Sequence, residues 1–140
     1  ELQKFYKIPL MTHLKEKQLF DMFDQIIQML GLNNIARPEV ERWLEDEEIL
    51  DQKDIRIKVI HTPGHSPGSC CFLVNDLHLF TGDTVFSGSI GRTDLPLGSS
   101  REMRKSLKKI TNLPIKTKIY PGHGPKSNLK SELNNNPYLI

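Results

Sequence analysis

Three apolar segments of this chain run straight into glycine- and proline-bracketed loops, and each loop carries a side chain able to bind a metal. In "VIHTPGHSPGSCCFLV" (Val59–Val74), His61 and His65 stand among two prolines and two glycines. In "LFTGDTVFSGSIGRTDLP", Asp83 follows Gly82 directly, and in "YPGHGP", His123 sits between Gly122 and Gly124. A fold that accepts such segments must let strand ends open into tight, stiff loops. Layered α/β folds do this, and their chemistry gathers where loops leave the strands. Glycines at these points allow close backbone approach, and Pro63, Pro67, Pro121 and Pro125 stiffen the turns. Imidazole and carboxylate suit zinc and iron. The residues by themselves leave two readings open. A histidine in such a turn also fits an ordinary surface position, and a Gly-Asp after a strand also fits a capping turn.

The hydrophobic pattern supplies the framework. Leu19, Phe23, Ile26, Ile27 and Leu30 recur at spacings of three and four and predict a helix over Lys15–Leu30 with a core-facing stripe. Glu16, Lys17, Asp21, Asp24 and Gln28 lie off that stripe, and Gly31 supplies the stop. Glu1–Tyr6 reads as the end of a helix, Ile8–Thr12 as a short strand, and Leu32–Pro38 as a connector. In the acidic stretch Glu39–Leu50, Trp43 and Leu44 read as the anchor of a loop. Ile55–Ile60 alternates as a half-buried strand. Cys70–Val74 reads as a buried strand that turns at Asn75-Asp76 into Leu77–Thr81, completing a hairpin. Ser99 and Glu102 have capping-box spacing and open a helix with Met103, Leu107 and Ile110 on one face, ended by Pro114. Lys118–Tyr120 predicts a strand and Lys126–Leu133 a helix. The mixture is α/β, within one domain.

Composition narrows the function classes. Apolar residues make up 37% of the 140 and charged residues 26%, enough for one modest core. A net charge of +2, with no basic stretch interleaved by aromatics, argues against a nucleic-acid partner. The Arg104–Lys109 run reads as a solvated helix face. No apolar run reaches the roughly 18 residues of a membrane span. Cys70 and Cys71 would point to opposite faces of a strand, as small thiols in a reducing compartment. A cytoplasmic location is therefore expected.

"HTPGHSPGS", "LFTGDTVFSGSIGRTDLP" and "YPGHGP", in that order and spacing, resemble the third to fifth motifs of the metallo-β-lactamase superfamily, and within it the glyoxalase II-like hydrolases. The likeness reaches into "KIPLMTH" and "NNNPYL" and so covers most of the chain. It implies roles residue by residue. His65 matches a ligand of the first metal, Asp83 the carboxylate that bridges two metals, and His123 a ligand of the second. His61 matches a non-ligand position at the loop entry, and His13 and His78 match no ligand motif. The implied chemistry is two-metal hydrolysis, in which a metal-bound water ionises near neutral pH and attacks a carbonyl, here of a hydroxyacylglutathione-like thioester. The cofactors would be two zinc ions, or iron or manganese. Arg92 and Asp94 would border the substrate cleft, as a loop-fixing ion pair or with Arg92 contacting substrate.

The likeness also implies what to expect of the whole. The family's His-x-His-x-Asp-His pattern occurs nowhere in these 140 residues. The chain thus resembles a partial domain over 1–140, mainly the C-terminal αβ half of a four-layer αββα sandwich. Three of seven ligands would be present, so weak or no metal binding and little activity are expected of this chain alone. An apolar sheet face would be left for a missing N-terminal part, or another copy of the chain, to cover. A single-iron persulfide dioxygenase and a non-catalytic binding module are the competing readings. The stretch after Gly82-Asp83 looks closer to the hydrolase branch.

Overall fold

The computed structural model describes residues 2–32 and 35–139, so Glu1 and part of the predicted connector lie outside it. The chain opens with helix α1 (Leu2–Tyr6), strand β1 (Met11–His13), a 3-10 turn (Leu14–Glu16), α2 (Lys17–Asp21) and α3 (Phe23–Met29). Strands β2 (Arg42–Leu44), β3 (Ile49–Gln52), β4 (Ile55–His61), β5 (Cys70–Val74) and β6 (His78–Gly82) follow. Then come the short pair β7 (Val85–Phe86) and β8 (Ser89–Ile90), helix α4 (Ser100–Thr111), β9 (Lys118–Pro121), β10 (Ser127–Asn128) and α5 (Leu129–Asn135). Among the described residues, no helix is long and apolar enough to cross a membrane.

One sheet, ordered β10-β9-β6-β5-β4-β3, positions the loops of interest. The β5–β6 hairpin turns through Asn75, Asp76 and Leu77, between the paired Val74 and His78; Asn75 and Asp76 both take positive φ, 49° and 52°, and the Leu77 amide donates to the Val74 carbonyl. β6 and β9 pair in parallel, joined by the crossover that contains α4. The Ser99 hydroxyl caps α4 by accepting from the Glu102 amide at 3.3 Å, an interaction worth about 1 kcal/mol.

Strand alternation decides what each sheet face does. Pairing sets Ile60 beside Cys71, and Leu73 beside Leu79, which lies beside Ile119. These side chains form the core with Met103, Leu107 and Ile110 of α4 and Leu129 of α5. The opposite face carries the row Val59, Phe72, Phe80 and Tyr120. There the Phe80 and Tyr120 rings stack at 5.1 Å, yet Phe80 remains 47% exposed. The sheet is thus packed by helices on one side and open along part of the other.

The N-terminal third departs from the sequence expectation. The single helix expected over Lys15–Leu30 is split, because Met22 leaves helical geometry (φ −91°, ψ 5°) and its amide is shared between the Gln18 and Leu19 carbonyls. Lys15 and Glu16 belong to the 3-10 turn, which His13 caps by accepting from the Lys15 amide at 3.2 Å. The stripe is only half-buried, and Leu30 is exposed, since these short helices rest on little beyond the edge contact of Phe20 with Trp43. Gly31 does end the segment, with Leu32 bonded to Ile27 and Gly31 to Gln28. The strand expected over Ile8–Thr12 lies at Met11–His13, past Pro9, which has no amide to give a ladder. Trp43 and Leu44, expected as a loop anchor, form β2 and pair in parallel with β1.

Candidate metal centre

Asp83 leaves the end of β6 between two loops, and its two carboxylate oxygens face different histidines. His65 Nε2 stands 3.5 Å from Oδ2, and His123 Nε2 stands 3.5 Å from Oδ1. His65 lies in the loop between β4 and β5, and His123 follows β9, the strand parallel to β6. The three loops meet because β9 and β6 are neighbours and β5 and β4 follow next in the sheet.

Two glycines allow this approach. At Gly122 a Cβ would lie 2.8 Å from Asp83 Oδ1, and at Gly91 it would be driven into the Asp83 carbonyl oxygen. The backbone packs against the carboxylate where a side chain would displace it. The Gly122 amide also donates to the Gly82 carbonyl at 2.8 Å and ties the two loops together.

The chemistry of His65 is fixed by its other nitrogen. Nδ1 lies 3.0 Å from the Arg92 carbonyl oxygen, which can only accept. Nδ1 therefore carries a proton, and Nε2 is the nitrogen turned toward Asp83. This is the arrangement in which a carbonyl behind a ligating histidine sets tautomer and orientation.

The donor set fits a divalent ion. A 3.5 Å gap is long for a hydrogen bond, but it is the edge spanned by two bonds of about 2.1 Å meeting at about 110°, the tetrahedral preference of zinc. His65 with Asp83 Oδ2, and His123 with Oδ1, make two such edges. Among the described residues, no three histidine, cysteine or acidic side chains form a set that could hold an ion by themselves. The arrangement is one carboxylate with an imidazole beside each of its oxygens.

The other histidines lie elsewhere. His61 stacks on His13 with centroids 3.8 Å apart, and its Nε2 lies 2.8 Å from the Pro67 carbonyl. His78 Nδ1 bonds the Tyr120 hydroxyl at 3.1 Å on the open sheet face. Arg92 meets Asp94 through two bonds, 2.8 and 2.7 Å, and holds that exposed carboxyl down to about 2. Both cysteines are free, and burial pushes Cys70 up to about 12 and Cys71 to about 11, so neither offers a thiolate.

Two acids that the sequence pattern treats as surface residues brace this region. Buried Glu132 of α5 accepts from the Gly88 amide at 2.9 Å and anchors the β7–β8 turn, whose Phe86 meets the His123 ring edge-on. Glu16 accepts from Ser66 and Gly68 in the His65 loop. Glu132 also accepts from nearby Ser127 and Asn136, but the loop groups that the two acids hold lie 44 to 52 residues away in sequence.

Known proteins share this framework. A sequence model described as the metallo-beta-lactamase superfamily matches residues 1–123. The hydroxyacylglutathione hydrolase GloC of Haemophilus influenzae is 36% identical over 89% of this chain and 60% of its own length. The probable metallo-hydrolase YqgX of Bacillus subtilis is 35% identical over 99% of this chain and 67% of its own. The solved structure of TTHA1623 in a di-iron-bound form superposes with a TM-score of 0.83 at 34% identity, over 99% of this chain and 68% of that one. The chain therefore spans roughly three-fifths to two-thirds of the length of the proteins it matches.

Proposed function

The chain belongs to the metallo-β-lactamase superfamily, a hydrolase family, and on that premise we propose that it carries part of the metal centre of a thioester hydrolase. The observation behind this reading is the single carboxylate, Asp83, addressed on separate oxygens by two imidazoles. The name of the Haemophilus relative supports a hydroxyacylglutathione-like substrate, and the di-iron-bound neighbour makes iron a candidate beside zinc.

His65 and Asp83 would hold one ion, and His123 with the other oxygen of Asp83 a second. Ions held there would supply the charge that lowers the pKa of water and polarises a thioester carbonyl. The residues present do the positioning. The Arg92 carbonyl keeps the His65 proton on Nδ1 and its lone pair toward the site. Gly122 lets backbone close on the carboxylate, and Gly91 on the Asp83 carbonyl. Asp83, acceptor-only when ionised, can serve both sides at once. The Arg92 side chain, exposed and held by Asp94, is placed to steady the loop that bears this carbonyl. Substrate contact by Arg92 remains part of the proposal.

The test is metal content and thioester hydrolysis of the chain loaded with zinc or iron. Weak metal uptake and at most slow hydrolysis of a hydroxyacylglutathione, both dependent on His65, Asp83 and His123, are expected of this chain alone. Tight metal binding with full turnover by this chain alone, or metal uptake that ignores all three substitutions, refutes the reading.

A further inference from the structure

We propose that Glu16 is a positioning residue for His65, acting from a separate segment of the chain to hold the His65 loop in its binding geometry. The inference rests on His65 being a ligand, as proposed above. Glu16 Oε2 accepts from the Gly68 amide at 2.5 Å and from the Ser66 hydroxyl at 2.9 Å. These donors lie 52 and 50 residues further along the chain, and both belong to the turn that begins at His65. Bonds from a carboxylate to neutral donors are stronger than neutral pairs and more exacting in direction.

The loop is built to receive this carboxylate. A Cβ on Gly68 would lie 2.5 Å from both the Glu16 amide nitrogen and its Cβ, so backbone meets backbone there. Ser66, the residue after His65, has every polar group engaged. Its hydroxyl donates to Glu16 and lies 2.8 Å from Ser69 Oγ, its amide donates to Ser69 Oγ at 3.0 Å, and its carbonyl accepts from the Gly64 amide at 3.1 Å. The peptide that carries His65 is thus pinned on its C-terminal side by Glu16, while its ring is pinned by the Arg92 carbonyl.

A second contact comes from the same segment. His13, three residues before Glu16, stacks on His61 with an interplanar angle of 10°, and His61 reaches across to the Pro67 carbonyl. The segment from His13 to Glu16 therefore supports the loop at its entry through His61 and at its turn through Ser66 and Gly68.

The experiment compares Glu16→Ala and Glu16→Gln in the full chain. In metal-free protein, amide exchange at Gly68 and the ring nitrogen signals of His65 report the loop directly. Glu16→Ala is expected to raise Gly68 exchange by about tenfold or more and move the His65 nitrogens toward a tautomer average, with a midpoint drop below about 5 °C. Glu16→Gln, whose amide oxygen can still accept both bonds, is expected to stay close to the parent. Zinc affinity should then fall about tenfold in Glu16→Ala and recover in Glu16→Gln. If Glu16→Ala does not fold, Ser66→Ala removes one of the two bonds and is read the same way. Unchanged Gly68 exchange and His65 signals overturn the inference, and so does a Glu16→Gln variant as impaired as Glu16→Ala. Zinc affinity unchanged by His65→Ala, with the metal-free responses as expected, refutes the hydrolase reading and leaves the positioning role standing.

Discussion

The two histidine loops leave the same sheet and face the same carboxylate, yet they are built differently. The His65 side chain is 23% exposed, its Nδ1 is bonded to the Arg92 carbonyl, and its loop is gripped by Glu16. His123 is 78% exposed, and its ring touches Phe86 at an edge. Gly68 is walled in by Glu16, whereas Gly124, with φ of 79°, faces open space. One imidazole is preset in direction, and the other is held mainly by its backbone. A preset donor loses less freedom on binding, so the His65 side should bind the first ion and the His123 side should tighten around the second.

The strongest way to break the contrast is to strike what both loops share. Asp83→Asn keeps the shape but removes the charge and leaves one oxygen where two were needed. Partners behind a ligand are already worth 10- to 100-fold in affinity or activity, so loss of the shared ligand should cost about 100-fold or more in both. Calorimetric zinc titration and thioester turnover check this. Survival of one binding step would show that the two sites do not share the carboxylate.

Glycine substitutions separate the loops by stability. Gly68→Ala forces a Cβ against Glu16 backbone, and the expected loss is about 2–3 kcal/mol. Gly124→Ala meets no atom within 4 Å and bears only the strain of its positive φ, about 1 kcal/mol. Urea unfolding of both variants measures the difference. Equal losses would mean that the His65 loop is no more tightly packed than its counterpart.

The same contrast separates what was legible in the sequence from what was not. The Asn75-Asp76 hairpin, the Ser99 cap and the buried face of α4 all follow from signals within a few residues. So does the presence of His65, Asp83 and His123 at strand ends, where turn chemistry is written locally. That the three converge follows from β6 lying beside β9, which no local pattern states. Glu16 sits off the apolar stripe and has the signature of a solvated acid. Its role depends on a loop 50 residues away. The break at Met22 and the pairing of β1 with β2 were also hidden, because periodicity reads a stripe without knowing how much surface will cover it.

His13 offers a smaller, pH-dependent handle on the braced loop. It is 6% exposed, and burial, then the neighbouring His61, lower its pKa from 6.5 to about 4. Asp46 opposes this, while Lys15 and Lys109 add to it. The folded chain thus binds fewer protons than the unfolded one between these values. The stabilisation is complete above about pH 6.5 and is lost as pH falls through about 4. His13→Gln should flatten that slope in urea titrations across the window. A slope that persists in the variant assigns it to another group.

The smallest effect is expected at the ion pair most visible from the surface. Arg92 and Asp94 meet through two well-formed bonds, but both side chains are largely exposed, and such pairs contribute little in water. What His65 uses is the Arg92 main-chain carbonyl, which Asp94→Ala leaves in place. Zinc affinity in that variant should change by less than about threefold. A larger loss, shared by Arg92→Lys, would mean that the guanidinium fork holds the loop, and that the braced side of the site depends on an exposed clamp as well as on Glu16.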